Sequence, residues 1–416
     1  MKKRSVLIRV GKRMKVLWLC NIVLPEVSEE FGFKKKNVGG WLSGMWNRLK
    51  EVPDIQLGVC VPIIKPENRH DGVTKEGQDY YSFAFTGGTE NIALLVARLS
   101  EIIEAFHPDV VHIWGTEYPH TAAMVEACRQ KKLIDRVLIN IQGLLFKYTE
   151  VYCFGLSEGY EDKEYLSMKE RTPYELQALK NVRHVCGRTA WDKASVLEVN
   201  DAVNYHYCGE ILRDYFYKKD DTWDCKKCRR HSVFISQAGY PIKGLHTVIG
   251  NLSELKICYP DLLIRIAGTD LRQQDSPYAA MILEALKTND LSENVEFLGM
   301  LTAKQMYDEF LHAHVFLSPS LIENSSNSIC EALRVGIPVV ASDTGGTASI
   351  ITHGLNGFLY DLDDTSKMTS YVSRIFDEDD LAEQISEKEQ ERSEEYNNPK
   401  KCLDELLAVY AQLAKI

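Results

Sequence analysis

The sequence predicts two doubly wound parallel α/β domains in tandem, on three observations. Short apolar β-type runs alternate with amphipathic helical stretches along nearly all of the 416 residues. The runs are apolar throughout, as strands covered by helices on both faces are. The alternation breaks once, at the polar, charge-dense residues 217–230, with a series of similar size on either side. This is the doubly wound pattern.

In the first series, strands are expected at residues 16–20, 55–62, 110–114, 137–141, 184–186 and 204–207. Helices are expected between them at 41–50, 91–105, 121–129, 173–180 and 191–199. The second series places strands at 232–236, 262–267, 295–298, 315–318 and 338–341, and helices at 245–258, 277–287, 303–312 and 327–335. No fixed short period appears, which excludes a solenoid. Asn397-Asn398-Pro399 marks a break before a last helix over 400–416, whose apolar side holds Leu403, Leu406, Leu407, Val409 and Tyr410. The domains read as 1–216, a linker 217–230, 231–396, and a terminal helix 397–416. Two such domains imply a cleft at the carboxyl ends of their strands.

Composition is that of an ordinary globular protein, 45% hydrophobic and 26% charged. The longest apolar runs fall far short of the ~20 residues of a membrane span. The charged start Met1-Lys2-Lys3-Arg4 is followed by only three apolar residues before Arg9, so secretion is not expected. Residues 1–13 read as an extension ahead of the first strand. Eleven cysteines without an export signal indicate free thiols in a cytoplasmic protein. Net charge is −10, yet residues 1–50 carry 12 Lys/Arg against 3 Asp/Glu. That asymmetry, with Lys34-Lys35-Lys36, is compatible with a face that approaches an anionic membrane, or with a solvated loop. An acidic chain with no aromatic-interleaved basic stripe is not expected to bind nucleic acid.

The chemistry concentrates in residues 318–347. The segment reads as strand, polar loop, helix, Gly-Ile-Pro turn, strand and glycine turn, with Glu323 in the loop and Glu331 in the helix's first turns. Ser325, Ser326, Asn327 and Ser328 are candidate caps. The helix N-terminus suits a diphosphate. A carboxylate just inside it suits a ribose, and the outer one suits a second sugar.

Glu323-x7-Glu331, followed by Gly336-Ile-Pro-Val-Val-Ala-Ser and Gly345-Gly346-Thr, resembles the signature of the family 4 retaining glycosyltransferases. The likeness extends to Gly39-Gly40, Asp109-Val-Val-His-Ile, Lys243-Gly244-Leu-His, Ile266-Ala-Gly-Thr and Phe297-Leu-Gly-Met. Ile141-Gln-Gly-Leu, Gly187-Arg-Thr-Ala-Trp-Asp and the stretch from Ser236 to His246 are similar to a subgroup found in bacterial surface-polysaccharide clusters.

The resemblance implies the GT-B fold: two Rossmann-like domains facing a cleft, with the C-terminal helix crossing back to the first. It implies a nucleotide-sugar donor, UDP-linked by expectation, and a glycan acceptor that is lipid-linked at the inner membrane face. No cofactor or metal is expected. Lys243 would neutralise the leaving diphosphate, Glu331 would hold the ribose, and Glu323 with the amides of Asn324, Ser325 and Ser326 would hold the donor sugar. Gly268 and Met300 would form the base pocket, and Gly39 and Gly40 would admit the phosphates.

Three positions depart from the pattern. Ala238 stands where the family has an arginine, so a second phosphate cation is expected elsewhere, with Arg188 and Arg213 as candidates. Trp114 stands where many members have a histidine, leaving His120 or Glu117 to meet the acceptor, His120 as the catalytic candidate. Gln142-Gly143 replaces His-Gly. His112, Glu117, Gln142 and Arg188 complete the acceptor-side candidates, although His112 and His184 also suit a core.

Other signals are set aside. Cys225-x2-Cys228 with His231 lacks a second ligand pair for zinc. Asp361-Leu-Asp363 lies in a stretch, 361–395, with 13 acids and 4 bases, which reads as a solvated face. Gly87-Gly88-Thr89-Glu90 reads as a loop and helix cap, and Asn324-Ser-Ser as an idle sequon. The rival functions are another GT-B enzyme such as an epimerase, and a non-catalytic nucleotide-sugar-binding subunit.

Overall fold

The computed structural model describes residues 13–33, 39–87, 91–218 and 221–415. Residues 1–12, Lys34–Lys36 and Gly88–Glu90 of the readings above lie outside the described residues. Among those described, the chain forms an eight-stranded and a six-stranded sheet.

The first sheet comprises β1 (Met14–Cys20), β2 (Ile55–Ile63), β3 (Gly72–Val73), β4 (Asp79–Ala84), β5 (Val110–Trp114), β6 (Val137–Asn140), β7 (His184–Gly187) and β8 (Asn204–Tyr207). Its order is β3-β4-β2-β1-β5-β6-β7-β8, parallel except where β3 meets β4. Helices α1 (Gly40–Leu49), α2 (Ile92–Phe106), α3 (Pro119–Gln130), α4 (Leu145–Val151), α5 (Lys163–Asn181) and α6 (Ala190–Val199) complete this half. Successive side chains of β1 leave the sheet on opposite faces. Leu17 and Leu19 pack with Leu99, Ile103 and Met124 on one side, while Val16, Trp18 and Cys20 pack with Met45 and Trp46 on the other.

The second sheet comprises β9 (Ser232–Ile235), β10 (Leu263–Ala267), β11 (Val295–Gly299), β12 (Val315–Ser318), β13 (Val339–Ser342) and β14 (Phe358–Tyr360), all parallel in the order β11-β10-β9-β12-β13-β14. Its helices are α7 (Leu245–Cys258), α8 (Pro277–Thr288), α9 (Ala303–His312), α10 (Asn327–Val335), α11 (Ser366–Asp377) and α12 (Asp379–Tyr396).

The last helix, α13 (Pro399–Leu413), returns to the first domain. It starts where Asn398 caps the Lys401 N–H. It buries Cys402, Leu406, Val409, Tyr410 and Leu413 in the layer that holds Trp18 and Trp46. At ~1.5–3 kcal/mol for each large apolar side chain, this packing stabilises the first domain by several kcal/mol. The Trp18 indole donates to the Tyr410 hydroxyl at 3.0 Å, and that hydroxyl lies 2.6 Å from His112 Nδ1.

Five features differ from the sequence reading, the first being β14, a three-residue edge strand too short to be expected. The edge pair β3 and β4 was not expected, because β4 is short and carries Asp79 and Ser82. Helix α4 was missed, being only seven residues long. Helix α5 begins at Lys163 and runs through Pro173, which is not its start. Its true N-cap is Asp162, whose carboxylate accepts from the Tyr165 N–H and from the hydroxyls of Tyr152 and Tyr160. The stretch read as a linker, in its described part 221–230, is packed on the second domain. Trp223 is buried with its indole on the Ala313 carbonyl, and Cys225 and Cys228 are buried thiols. No helix among the described residues is long and apolar enough to cross a membrane.

Candidate active site

The loops that follow β1, β9, β10 and β12 converge on one cavity of about 570 Å³ between the domains. Gly39, Gly40, Arg213, Gln237, Gly268, Met300, Asn327, Ser328 and Glu331 line it. Five residues read from sequence as donor-binding therefore share one space: Gly39, Gly40, Gly268, Met300 and Glu331. Met300 is exposed at the mouth.

The C-terminal wall is held by backbone geometry. Helix α10 is capped by Ser326, whose hydroxyl accepts from the Ile329 N–H at 3.5 Å. Glu331 lies one turn in and is buried. Burial pushes its carboxyl up, against the pull of Arg213, whose Nε and Nη2 donate to the two carboxylate oxygens at 2.6 Å each. Glu323 lies in the preceding loop, where Oε1 accepts from Lys243 Nζ at 2.5 Å and from Ser320 at 2.9 Å. Burial pulls the Lys243 ammonium down, but Glu323 outweighs it and keeps the lysine charged above its ordinary range.

Lys243 ends a short 3-10 turn, and the Leu321 N–H donates to the neighbouring Ile242 carbonyl, so lysine and glutamate loops are tied by backbone. Gly345 and Gly346 brace the same loop from behind: a Cβ on either would come within 2.1 or 2.0 Å of the Glu323 or Asn324 carbonyl. The Gly-Gly turn is thus required by the glutamate loop itself.

Other expected contacts change meaning. The Asn324 side chain is buried and bridges the domains, accepting from Thr189 Oγ1 at 2.8 Å and donating to the Ile141 carbonyl at 3.1 Å. Only its backbone amide remains for a ligand. Ser325 is buried beside Cys330. Gly40 is needed for a side chain: a Cβ there would sit 2.2 Å from Arg213 Cγ. A Cβ on Gly268 would strike Gln237, whose carbonyl oxygen caps the Ala238 and Gly239 N–H groups.

The N-terminal wall corrects the acceptor-side readings. His112 is a fully buried core histidine on Tyr410, Trp18 and Trp114, and burial lowers it to about 3. His120 is also fully buried and lowered by burial to about 3. Pro119 starts α3 directly before it, and the ring packs against Phe83 and Tyr118. Asn21 donates its amide N–H to Glu117 at 2.8 Å, so its carbonyl accepts from His120 Nε2 at 2.7 Å. His120 therefore fixes the orientation of Asn21 from a buried position, in place of the exposed cleft histidine expected. Arg188 is buried against Glu210 at 2.9 Å and donates to the Ile141 carbonyl, which removes it as a phosphate or acceptor ligand. Gln142 donates to Asn140 and Glu210. Glu117, half-buried, accepts from the Gly143 N–H at 3.0 Å, and burial pushes its carboxyl up.

Beneath that loop, Glu175 is raised by burial to about 7. The Thr116 hydroxyl lies 3.1 Å from the Gly143 carbonyl and 2.6 Å from Glu175 Oε1. One hydroxyl hydrogen cannot serve both acceptors, so a proton on Glu175 completes the pair.

Gln237 was missed as a lining residue although it sits inside the Ser236–His246 motif, and of the two candidate second cations Arg213, not Arg188, lines the cavity. The zinc reading fails geometrically: His231 pairs with Asp261, and the Cys225 thiol donates to Glu383.

Comparison with known proteins bears on the second domain. Residues 227–392 match the family described as glycosyl transferases group 1. Relatives of this chain include a 2-deoxystreptamine N-acetyl-D-glucosaminyltransferase of Niallia circulans, 29% identical over 34% of this chain and 35% of that one. A GDP-mannose-dependent alpha-mannosyltransferase of Corynebacterium glutamicum is 21% identical over 66% of this chain and 60% of its own length. The chain spans about a third of the length of the first of these relatives.

Among solved structures, sucrose-phosphate synthase from Thermosynechococcus elongatus superposes with a TM-score of 0.74 over 96% of this chain and 99% of its own, at 15% identity. Anabaena HepE in complex with UDP superposes at 0.66 over 96% of this chain and 100% of its own, also at 15%. The chain thus has the GT-B fold.

Proposed function

We propose that the protein is a retaining glycosyltransferase that moves a sugar from a nucleotide donor, UDP-linked in the first instance, to a hydroxyl of a surface-glycan acceptor. The observation that carries this is the pairing of Glu331 with Arg213 on the interdomain cavity, with the Glu323–Lys243 pair in the adjoining loops, one leading into the α10 N-terminus and the other following Tyr240. Carboxylates suit sugar hydroxyls, and cations suit a departing diphosphate.

In this reading Glu331 takes the ribose, and Glu323 with the amides of Asn324–Ser326 takes the donor sugar. Lys243 stabilises charge on the leaving phosphate. The acceptor hydroxyl attacks from the face the diphosphate leaves, and that phosphate accepts its proton, so no protein nucleophile is assigned. The cations provide the charge that the diphosphate requires, and no metal is assigned. UDP in a solved neighbour supports the choice of base, while relatives named for GDP-mannose make GDP the competitor. The acceptor is lipid-linked in this reading, met where basic residues near the N-terminus approach anionic lipid. Deleting residues 1–13 with neutral replacements at Lys34–Lys36 is expected to weaken binding to anionic vesicles, and unchanged binding removes the membrane part.

The primary test is the melting temperature with UDP, GDP and ADP, in wild type and Glu331→Ala. A ligand at ~100 times its dissociation constant stabilises by ~2.7 kcal/mol. Stabilisation by one nucleotide that disappears in the variant is the expected result. Absence of any shift in wild type would remove the donor site.

A further inference from the structure

Arg213 lies outside both sheets, in the connection between the domains, and touches each of them. Its stem crosses α1 where a Gly40 Cβ would fall, and its head grips Glu331 on α10. The grip is a parallel two-bond fork, the strongest arrangement a carboxylate can make with a side chain. It takes one lone pair on each Glu331 oxygen, along the edge that faces Arg213, so a ribose that uses both oxygens on that edge must displace the guanidinium. Yet Glu331 is buried, its side chain only 4% exposed, and burial of an unpaired carboxylate is costly. A guanidinium that lets go must therefore stay close by. Arg213 also carries the only positive charge among the described residues that line the cavity.

We infer that Arg213 is a mobile diphosphate ligand: it holds Glu331 until a donor arrives, then passes that carboxylate to the ribose and moves onto the phosphates. The inference rests on the donor-site reading above and assigns within it the residue that distinguishes a nucleoside diphosphate from a nucleoside. The ribose is joined to the diphosphate, so the guanidinium remains near Glu331 after the exchange and its positive charge stays in the cavity. Gly40 follows as a requirement of Arg213, because only a residue without a Cβ leaves room for the stem.

The exchange makes opposite predictions for two probes. Uridine competes with Arg213 for Glu331 and gains nothing in return, whereas UDP recovers the guanidinium on its phosphates. The experiment titrates full-length wild type, Arg213→Ala and Arg213→Gln with UDP and with uridine, and with GDP and guanosine in parallel, by calorimetry. Melting curves without ligand confirm that each variant folds. Both variants are expected to lose about tenfold or more in diphosphate affinity while nucleoside affinity holds or rises. An equal loss for both probes, or an unchanged diphosphate preference, overturns the inference and leaves Arg213 a structural partner of Glu331. Failure of wild type to bind any nucleoside diphosphate overturns the donor-site reading itself.

Discussion

The two walls of the cleft use polar residues in opposite ways. On the C-terminal wall Lys243, Glu323 and Glu331 come from two short stretches, and their pairs line or adjoin open space. On the N-terminal wall His112, His120, Arg188, Glu210 and Glu175 are buried and bonded mainly to one another and to backbone. The first wall presents its charges to a ligand, and the second uses them to hold loops in place. Substitutions on the first should appear in binding and turnover, and on the second in stability.

The largest effect is expected at Lys243. Lys243→Ala should lower turnover by ~10²–10³-fold, the usual loss when one transition-state charge partner is removed, with little change in melting temperature. A drop in stability with turnover preserved would erase the contrast between the walls.

Glu175→Gln sharpens the contrast from the other side. Its carboxyl is raised from 4.5 to about 7 in the fold, so the native state binds more protons than the unfolded chain between those values. Wild-type stability therefore falls as pH rises through that window, by roughly 3 kcal/mol for this group alone. The amide mimics the protonated acid: its N–H₂ meets the Thr116 hydroxyl and its carbonyl accepts from the Phe146 N–H, as Oε2 does at 2.9 Å. Melting curves from pH 4 to 8 should be flatter for the variant, and equal slopes would place Glu175 outside the titration.

A smaller loss, about 2 kcal/mol, is expected for Tyr410→Phe, which leaves the Trp18 N–H and His112 Nδ1 buried without their partner. Nucleotide binding should survive it, as measured by calorimetry. Least of all, Gln142→Ala should leave nucleotide affinity unchanged by calorimetry, because its amide is committed to Asn140 and Glu210 and it does not line the cavity.

What could be read from the sequence follows the same division. The central strands were legible because a buried parallel strand is apolar nearly throughout, and 110–114 and 315–318 end where the structure ends them. Lys243, Glu323 and Glu331 were legible as a candidate group because a capped helix and its preceding loop form one local unit. Arg213 belongs to no such unit; its place depends on Gly40, far away in the chain. His120 was misread, and His112 left between cleft and core, for a related reason. A histidine beside a strand end looks the same in sequence whether it faces the cleft or the core, and only the return of Tyr410 decides His112. Likewise a seven-residue helix such as α4 is too short to show a period.

Helix α13 has a consequence for synthesis. The face of the first sheet that holds Trp18 and Trp46 is completed by side chains made only after the entire second domain. At ~5–20 residues per second, the ribosome leaves that apolar face uncovered for on the order of ten seconds or more. During that interval the first domain is open to chaperones and to other nascent copies, so its yield in the cell depends on the last stretch of the chain to emerge.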